Sequence, residues 1–133
     1  MGEDHVSASH PLVGTWRYVD AKLDGKSTRP NGKGMIYYAP SGAMMCQVSP
    51  GNDVKRAGAK PTPAEALAAL DNHIAYFGSW SVNEAAQTVT HRRLGSVQPG
   101  DTADLVRKFK IEGDKLTLNT VGTNYFVYWE RMK

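Results

Sequence analysis

From Leu12 onward, apolar and polar residues alternate in short runs separated by turn residues, the two-residue period of strands with one buried face. The run Leu12 to Asp20 opens the series and sets Gly14, Trp16 and Tyr18 on one face against Val13, Thr15, Arg17 and Val19 on the other. Asp24-Gly25 predicts a tight turn and Lys26 to Pro30 a short edge piece. Met35 to Ala39 and Ala43 to Val48 pair about Pro40-Ser41-Gly42. Further strands are predicted over Ser79 to Asn83, Gln87 to Leu94, Leu105 to Ile111, Lys115 to Thr120 and Tyr125 to Arg131. Between Thr62 and Gly78 the period changes. Thr62-Pro63-Ala64-Glu65 supplies an N-cap, a proline at the first helical position and a capping-box glutamate. The spacing of Leu67, Leu70, Ile74 and Phe77 then predicts a helix that ends at Gly78 and packs one face.

About eight or nine short strands, joined mostly by tight turns and interrupted by one helix, predict an all-β fold: a closed up-and-down antiparallel barrel with one embedded α-helix. Closure makes the first and last strands neighbours, which would lay Arg131 over the face of Trp16. Residues 1–11 are expected to form a flexible tail with His5 and His10 exposed, and residues 12–133 a single barrel domain. Ser49 to Pro61 lacks periodicity and is long for so small a domain, a length typical of lids and mobile loops, and Gly95 to Thr102 is a second longer connection.

Composition narrows the classes. Of 133 residues, 41% are hydrophobic and 22% charged, the range of an ordinary globular domain. The net charge is +3, but the basic residues are interleaved with acids, so nucleic acid is not an expected partner. No apolar run approaches the roughly 20 residues of a spanning helix, so no membrane partner is expected. The single Cys46 excludes an internal disulfide, and a polar start without a secretory pattern points to the cytoplasm, with a monomer or weak homodimer expected there.

The informative positions are polar residues on apolar faces. Leu105, Arg107, Phe109 and Ile111 share one face, and Val89, His91 and Arg93 share another, opposite Thr88, Thr90 and Arg92. Strand parity therefore turns two guanidinium groups and an imidazole inward. An unpaired buried charge costs several kcal/mol. The acids Asp20, Asp104 and Glu130 sit at strand ends and Glu84 and Glu112 in turns, poorly placed to neutralise them. An acidic or carbonyl-bearing guest, or ordered water, would satisfy these groups. The alternative is that Arg93 and Arg107 reach the barrel mouth and extend into solvent.

Tyr18, Tyr37, Met45, Tyr76, Trp80, His91, Arg93, Arg107 and Phe109 are the candidate ligand-binding residues, apolar walls with polar tips. Met35, Met44 and Met45 beside Tyr37 and Tyr38 suit an adaptable wall or ordinary core. His73 and Tyr76, three apart on the predicted helix, would both face a cavity mouth if the helix caps the barrel, although His73 also reads as an exposed helix residue. Cys46, in mid-strand, reads as a buried and inert thiol. There is no phosphate-binding glycine loop, nucleophile elbow, zinc-ligand spacing or tight acidic cluster, so no metal and no cofactor is expected.

Six stretches together resemble the lipocalin-like single-domain family of bacteria and fungi. They are Gly14-Thr15-Trp16, Gly34 to Gly42, Ala75-Tyr76-Phe77-Gly78-Ser79-Trp80, Thr88-Val89-Thr90-His91, Gly113-Asp114-Lys115-Leu116-Thr117-Leu118 and Trp129-Glu130-Arg131, in an order that spans nearly the whole chain. The resemblance implies a small barrel with an internal apolar cavity and a role in binding small hydrophobic molecules. Some barrels of this broad shape act as cofactor-independent cyclases or isomerases in secondary metabolism, and the resemblance transfers no catalytic motif.

The leading expectation is a barrel that binds one small, largely hydrophobic molecule with a polar or acidic end, held by Arg107 and His91. The alternative is a cofactor-independent isomerase, cyclase, lyase or hydratase acting in the same cavity. There His91 would be the general acid or base, near its ordinary pKa of about 6.5, and Arg107 or a tyrosine would stabilise an oxyanion. A structural or interaction module with no ligand is the third reading.

Overall fold

The computed structural model describes residues 8–51 and 55–133. Among these the elements run β1 (Gly14–Leu23), β2 (Lys26–Ser27), β3 (Lys33–Tyr38), β4 (Ala43–Ser49), α1 (Pro63–Asp71), β5 (Ile74–Asn83), β6 (Thr88–Ser96), β7 (Leu105–Glu112), β8 (Lys115–Thr120) and β9 (Tyr125–Arg131). Asp24 and Gly25 both take positive φ, 52° and 81°, the backbone twist that joins two strands through a two-residue turn. The strands pair antiparallel in the order β2-β1-β3-β4-β5-β6-β7-β8-β9, and β1 pairs with β9 as well. Eight strands thus close into a barrel, with β2 an extra edge piece on β1.

Closure is secured from the last strand. The Arg131 guanidinium lies 4.1 Å from the Trp16 ring centre and donates to the Val13 and Pro11 carbonyls at 3.0 and 2.7 Å. Gly14 between them has φ of 131°, and a Cβ there would come within 3.1 Å of the same guanidinium. The predicted stacking of Arg131 on Trp16 is therefore present.

Two bulges adjust which side chains face inward. Val19 is the extra residue between the pairs Tyr18↔Trp129 and Asp20↔Tyr128, so Trp16 and Tyr18 point in, Val19 is exposed, and Ala21 rather than Asp20 resumes the buried face. On β6, Leu94 is extra between Gly78↔Arg93 and Phe77↔Gly95 and points out. Gly78 is required at that bulge, because a Cβ would fall 1.8 Å from the Arg92 carbonyl oxygen.

One end of the barrel is solid. Leu12, Trp16, Tyr38, Met44, Trp80, Val82, Val89, Phe109 and Leu116 are buried there. His10 joins them, which corrects its reading as an exposed tail residue: its side chain is 8% exposed and meets the rings of Trp80 and Phe109 edge-on. It accepts from the Leu12 N–H through Nδ1 and contacts Glu84 through Nε2 at 2.8 Å, so this histidine is a plug in the barrel floor. His5 lies outside the described residues, as does the 52–54 portion of the predicted lid loop.

The helix begins where expected, with Thr62 and Glu65 forming the reciprocal capping box behind Pro63. It ends at Asp71, well short of the predicted Gly78, and buries no residue; Leu67 is 59% exposed. Ile74 and Phe77 instead belong to β5, which pairs with β4 from Val48↔Ile74 onward. Local spacing favoured a longer helix, but the β4 edge offers each residue from Ile74 a ladder partner, and non-local pairing wins.

Replacing Arg131 with Ala should lower stability by about 2–3 kcal/mol, the scale of a desolvated cation–π contact plus charge-assisted hydrogen bonds. Arg131→Lys should recover less than half of this, since one ammonium cannot serve the ring and two carbonyls together. Urea midpoints of the three proteins measure it.

Candidate functional site

Above the solid floor the barrel is hollow. A cavity of about 590 Å³ is lined by inward residues of all eight barrel strands, among them Tyr18, Ile36, Cys46, Tyr76, His91, Arg107, Leu118 and Trp129. Its polar rim carries Arg29, Asp71, His73, Gln98 and Asp101. Arg29 donates to the Asn72 carbonyl and Gln98 to the Leu70 carbonyl, so the C-terminal end of α1 is tethered beside the opening by two side chains and no buried apolar contact.

Parity on β6 and β7 places the polar groups as expected. Val89↔Arg107 and His91↔Leu105 are register partners, and Val89, His91, Arg93, Leu105, Arg107 and Phe109 all lie on the inward faces. Arg93 is neutralised by an acid that strand patterning does not reveal, because Asp101 lies in the 97–104 connection. The Arg93 guanidinium donates to Asp101 at 2.9 Å and to the Ala103 carbonyl at 2.8 Å, and lies 5.8 Å from the Tyr76 ring centre. Arg107 has no such partner. Its hydrogen bond goes to the Val106 carbonyl at 3.1 Å, and no carboxylate lies within ion-pair distance of it among the described residues.

His91 is 2% exposed and held at both nitrogens. The Tyr38 hydroxyl is 2.6 Å from Nε2 and the Tyr76 hydroxyl 2.8 Å from Nδ1. Burial, with the Arg107 and Arg93 charges adding to it, lowers its pKa from 6.5 to about 3. The imidazole is therefore neutral near pH 7 rather than poised near 6.5, and both of its nitrogens are engaged. Burial also raises Tyr38 and Tyr76 well above 10 and pushes the Cys46 thiol up to about 12, so none of these ionises near neutrality. The Tyr76 hydroxyl also neighbours the Cys46 thiol, its register partner across β4 and β5.

Other expected wall residues lie elsewhere. Tyr37 and Met45 are 37% and 56% exposed and belong to an outward row, Thr15–Tyr37–Met45–Phe77–Gly95, on the outer face of the sheet. Their neighbours Tyr38 and Met44 take the inward positions, because alternation allows only one of each adjacent pair to face in. Met35 likewise faces out, so the methionines do not make one wall. Trp80 and Phe109 face inward but lie in the packed floor around His10, and the Trp80 N–H donates to the Ala39 carbonyl. Tyr76 reaches the cavity from β5, not from a helix shared with His73. Tyr18 does line the cavity, with its hydroxyl donating to the Arg29 carbonyl at 2.8 Å and its pKa pushed by burial to about 12. Asp101, Tyr125 and Trp129 are among the lining residues the sequence reading missed, and Tyr38, behind the wall, is the missed partner of His91. An alternation count anchored on Trp16↔Ile36 would have found Tyr38, two residues further along β3, whereas Asp101 has no periodic signal.

A hollow eight-stranded antiparallel barrel with one floor of packed aromatics has a counterpart among known families. The sequence profile of the lipocalin-like domain matches residues 13–130. The chain belongs to the lipocalin-like domain family. No curated protein and no solved structure matches it. In this lipocalin-like chain the barrel and its cavity suit small-molecule binding. Among the described residues no group of three or more His, Cys, Asp or Glu side chains is placed to hold a metal ion, and no helix is long and apolar enough to cross a membrane.

The lowered His91 pKa links stability to pH. The folded chain holds His91 neutral while the unfolded chain protonates it near 6.5, so this contribution is intact above pH 6.5 and is lost as pH falls toward about 3. Between pH 6.5 and 5 the loss should be on the order of 2 kcal/mol. Urea unfolding at pH 7, 6 and 5 should show a shallower acid decline in His91→Gln than in the parent chain.

Proposed function

We propose that this lipocalin-like barrel binds one small, largely hydrophobic molecule through an acidic or polar end, with Arg107 as its anchor. The observation that carries the reading is the charge balance of the cavity. Asp101 offsets Arg93, His91 is neutral and the tyrosines and Cys46 keep their protons, which leaves the Arg107 cation without a carboxylate in a mostly apolar chamber. One anionic head group would offset it, and the surrounding Ile36, Val48, Leu118 and Val127 suit an apolar body. A volume of about 590 Å³ supports a single guest of ordinary metabolite size.

This reading favours a binder over a catalyst, because a neutral His91 engaged at both nitrogens is a poor proton shuttle at physiological pH. The protein would work in the cytoplasm as a monomer or weak homodimer, with no nucleic acid or membrane partner and no cofactor. A lone buried cysteine suits that compartment.

The test uses two probes that differ in charge. 1-Anilinonaphthalene-8-sulfonate carries an anion, and N-phenyl-1-naphthylamine has the same ring skeleton without it. The parent chain should bind the sulfonate at least tenfold more tightly, and Arg107→Leu should remove that advantage while sparing the neutral probe, as expected for loss of one charge-assisted contact. Equal affinities for both probes in the parent chain, or a sulfonate preference that survives Arg107→Leu, would overturn the assignment.

A further inference from the structure

A neutral imidazole has one N–H and one lone-pair nitrogen, so the two tyrosine contacts of His91 have opposite senses. The Tyr38 side chain decides which is which. Tyr38 is fully buried, does not line the cavity, and its hydroxyl contacts no other hydrogen-bonding group among the described residues. The one acceptor within its reach is His91 Nε2. If Nε2 instead carried the proton, the Tyr38 O–H would be stranded in an apolar floor, where an unmade hydrogen bond is costly. Tyr38 therefore donates to Nε2, the imidazole proton sits on Nδ1, and Nδ1–H donates to the Tyr76 oxygen.

Having accepted from His91, the Tyr76 hydroxyl keeps its own proton to give. Two acceptors compete for it: the Cys46 sulfur, which is a weak one, and whatever occupies the cavity. Donation along a chain of hydrogen bonds strengthens the last donor. Two further groups of the lining add donors, while the carboxylates Asp71 and Asp101 belong to the rim. Arg107 offers N–H groups, and Trp129 has an indole N–H that finds no acceptor among the described residues. Arg93 is already consumed by Asp101 and the Ala103 carbonyl.

We propose that Tyr38 and His91 are positioning residues that fix the Tyr76 hydroxyl as a donor toward the cavity. The guest's polar end is then a hydrogen-bond acceptor, a carboxylate or carbonyl oxygen, held by Tyr76 together with Arg107. The inference rests on the reading of the cavity as a binding site and adds the sense in which that site reads its guest. Beside Tyr76 and Arg107 an amine-headed molecule of the same shape meets donors and a cation, and a hydrocarbon of that shape leaves the donors unpaired.

Two measurements on the full chain test it. The first is ¹⁵N NMR of the four histidines at pH 7, with His91 assigned by comparison with His91→Gln. Protonated Nδ1 and bare Nε2 are expected, and a proton on Nε2 would overturn the proposal because Tyr76 would then spend its own proton on the imidazole. The second uses an uncharged pair of nearly equal shape, 2-acetylnaphthalene and 2-isopropenylnaphthalene. The ketone should bind about tenfold more tightly than the hydrocarbon, the ratio should fall to about one in Tyr76→Phe, and it should shrink in Tyr38→Phe with the fold intact by circular dichroism. A ratio near one in the parent chain, or one that Tyr76→Phe leaves unchanged, would overturn it. Neither measurement involves an anionic probe. A failure here with the sulfonate preference intact strikes the donor polarity alone, whereas a sulfonate preference indifferent to Arg107 strikes the binding reading.

Discussion

Once β1 pairs with β9, every inward side chain of eight strands shares one enclosed space whose contact with water is limited to the open end. Such a space is cheap to furnish with hydrocarbon and expensive to furnish with charge. The floor obeys this strictly: Trp16, Tyr38, Trp80 and Phe109 interlock, and the one imidazole inserted among them, His10, has a hydrogen-bonding contact at each nitrogen. Above the floor the rule is relaxed. A guanidinium, an imidazole and several hydroxyls face a chamber that the chain does not fill.

The chamber is organised by how each polar group is or is not satisfied. Arg93 has its carboxylate from the 97–104 connection, so its charge is spent on holding that connection over the barrel. His91 has two tyrosines and is forced neutral by burial and by two nearby cations. Arg107 remains with a single carbonyl contact to its own neighbour. In the function proposed here the polar end of the guest completes this partial satisfaction, whereas a purely structural interior would gain more from a Leu or Ile at the same position. The outer row of Tyr37, Met45 and Phe77 lines a second, more open groove of about 800 Å³ with Lys33, Gln47 and Ser49, on the outside of the sheet.

The opening is framed by pieces that contribute little to the core. Helix α1 buries nothing and is tied down by Arg29 and Gln98 at its C-terminal end, while its capping box stabilises it locally. Segments with few buried apolar contacts open at low free-energy cost. A barrel with a rigid aromatic floor and a lightly held rim can admit a guest without loosening the strands that shape the chamber.

Much of this was written in the sequence. Two-residue alternation along Leu105 to Ile111 and Val89 to Arg93 was enough to turn Arg107, His91 and Arg93 inward, and the Trp16–Arg131 contact followed from an aromatic in the first strand and a cation in the last. The capping box placed the start of α1 because a cap is a local signal. Tertiary structure decided what periodicity cannot carry. It chose which of the adjacent pairs Tyr37/Tyr38 and Met44/Met45 faces the interior, and it ended the helix at Asp71 because the β4 edge claimed Ile74 to Phe77. It also drew His10 into the floor, brought Asp101 to Arg93, and set two tyrosines from different strands on the two nitrogens of His91. Those outcomes depend on strand register and on contacts between residues far apart in the chain, and such contacts leave no repeating trace in the order of the amino acids.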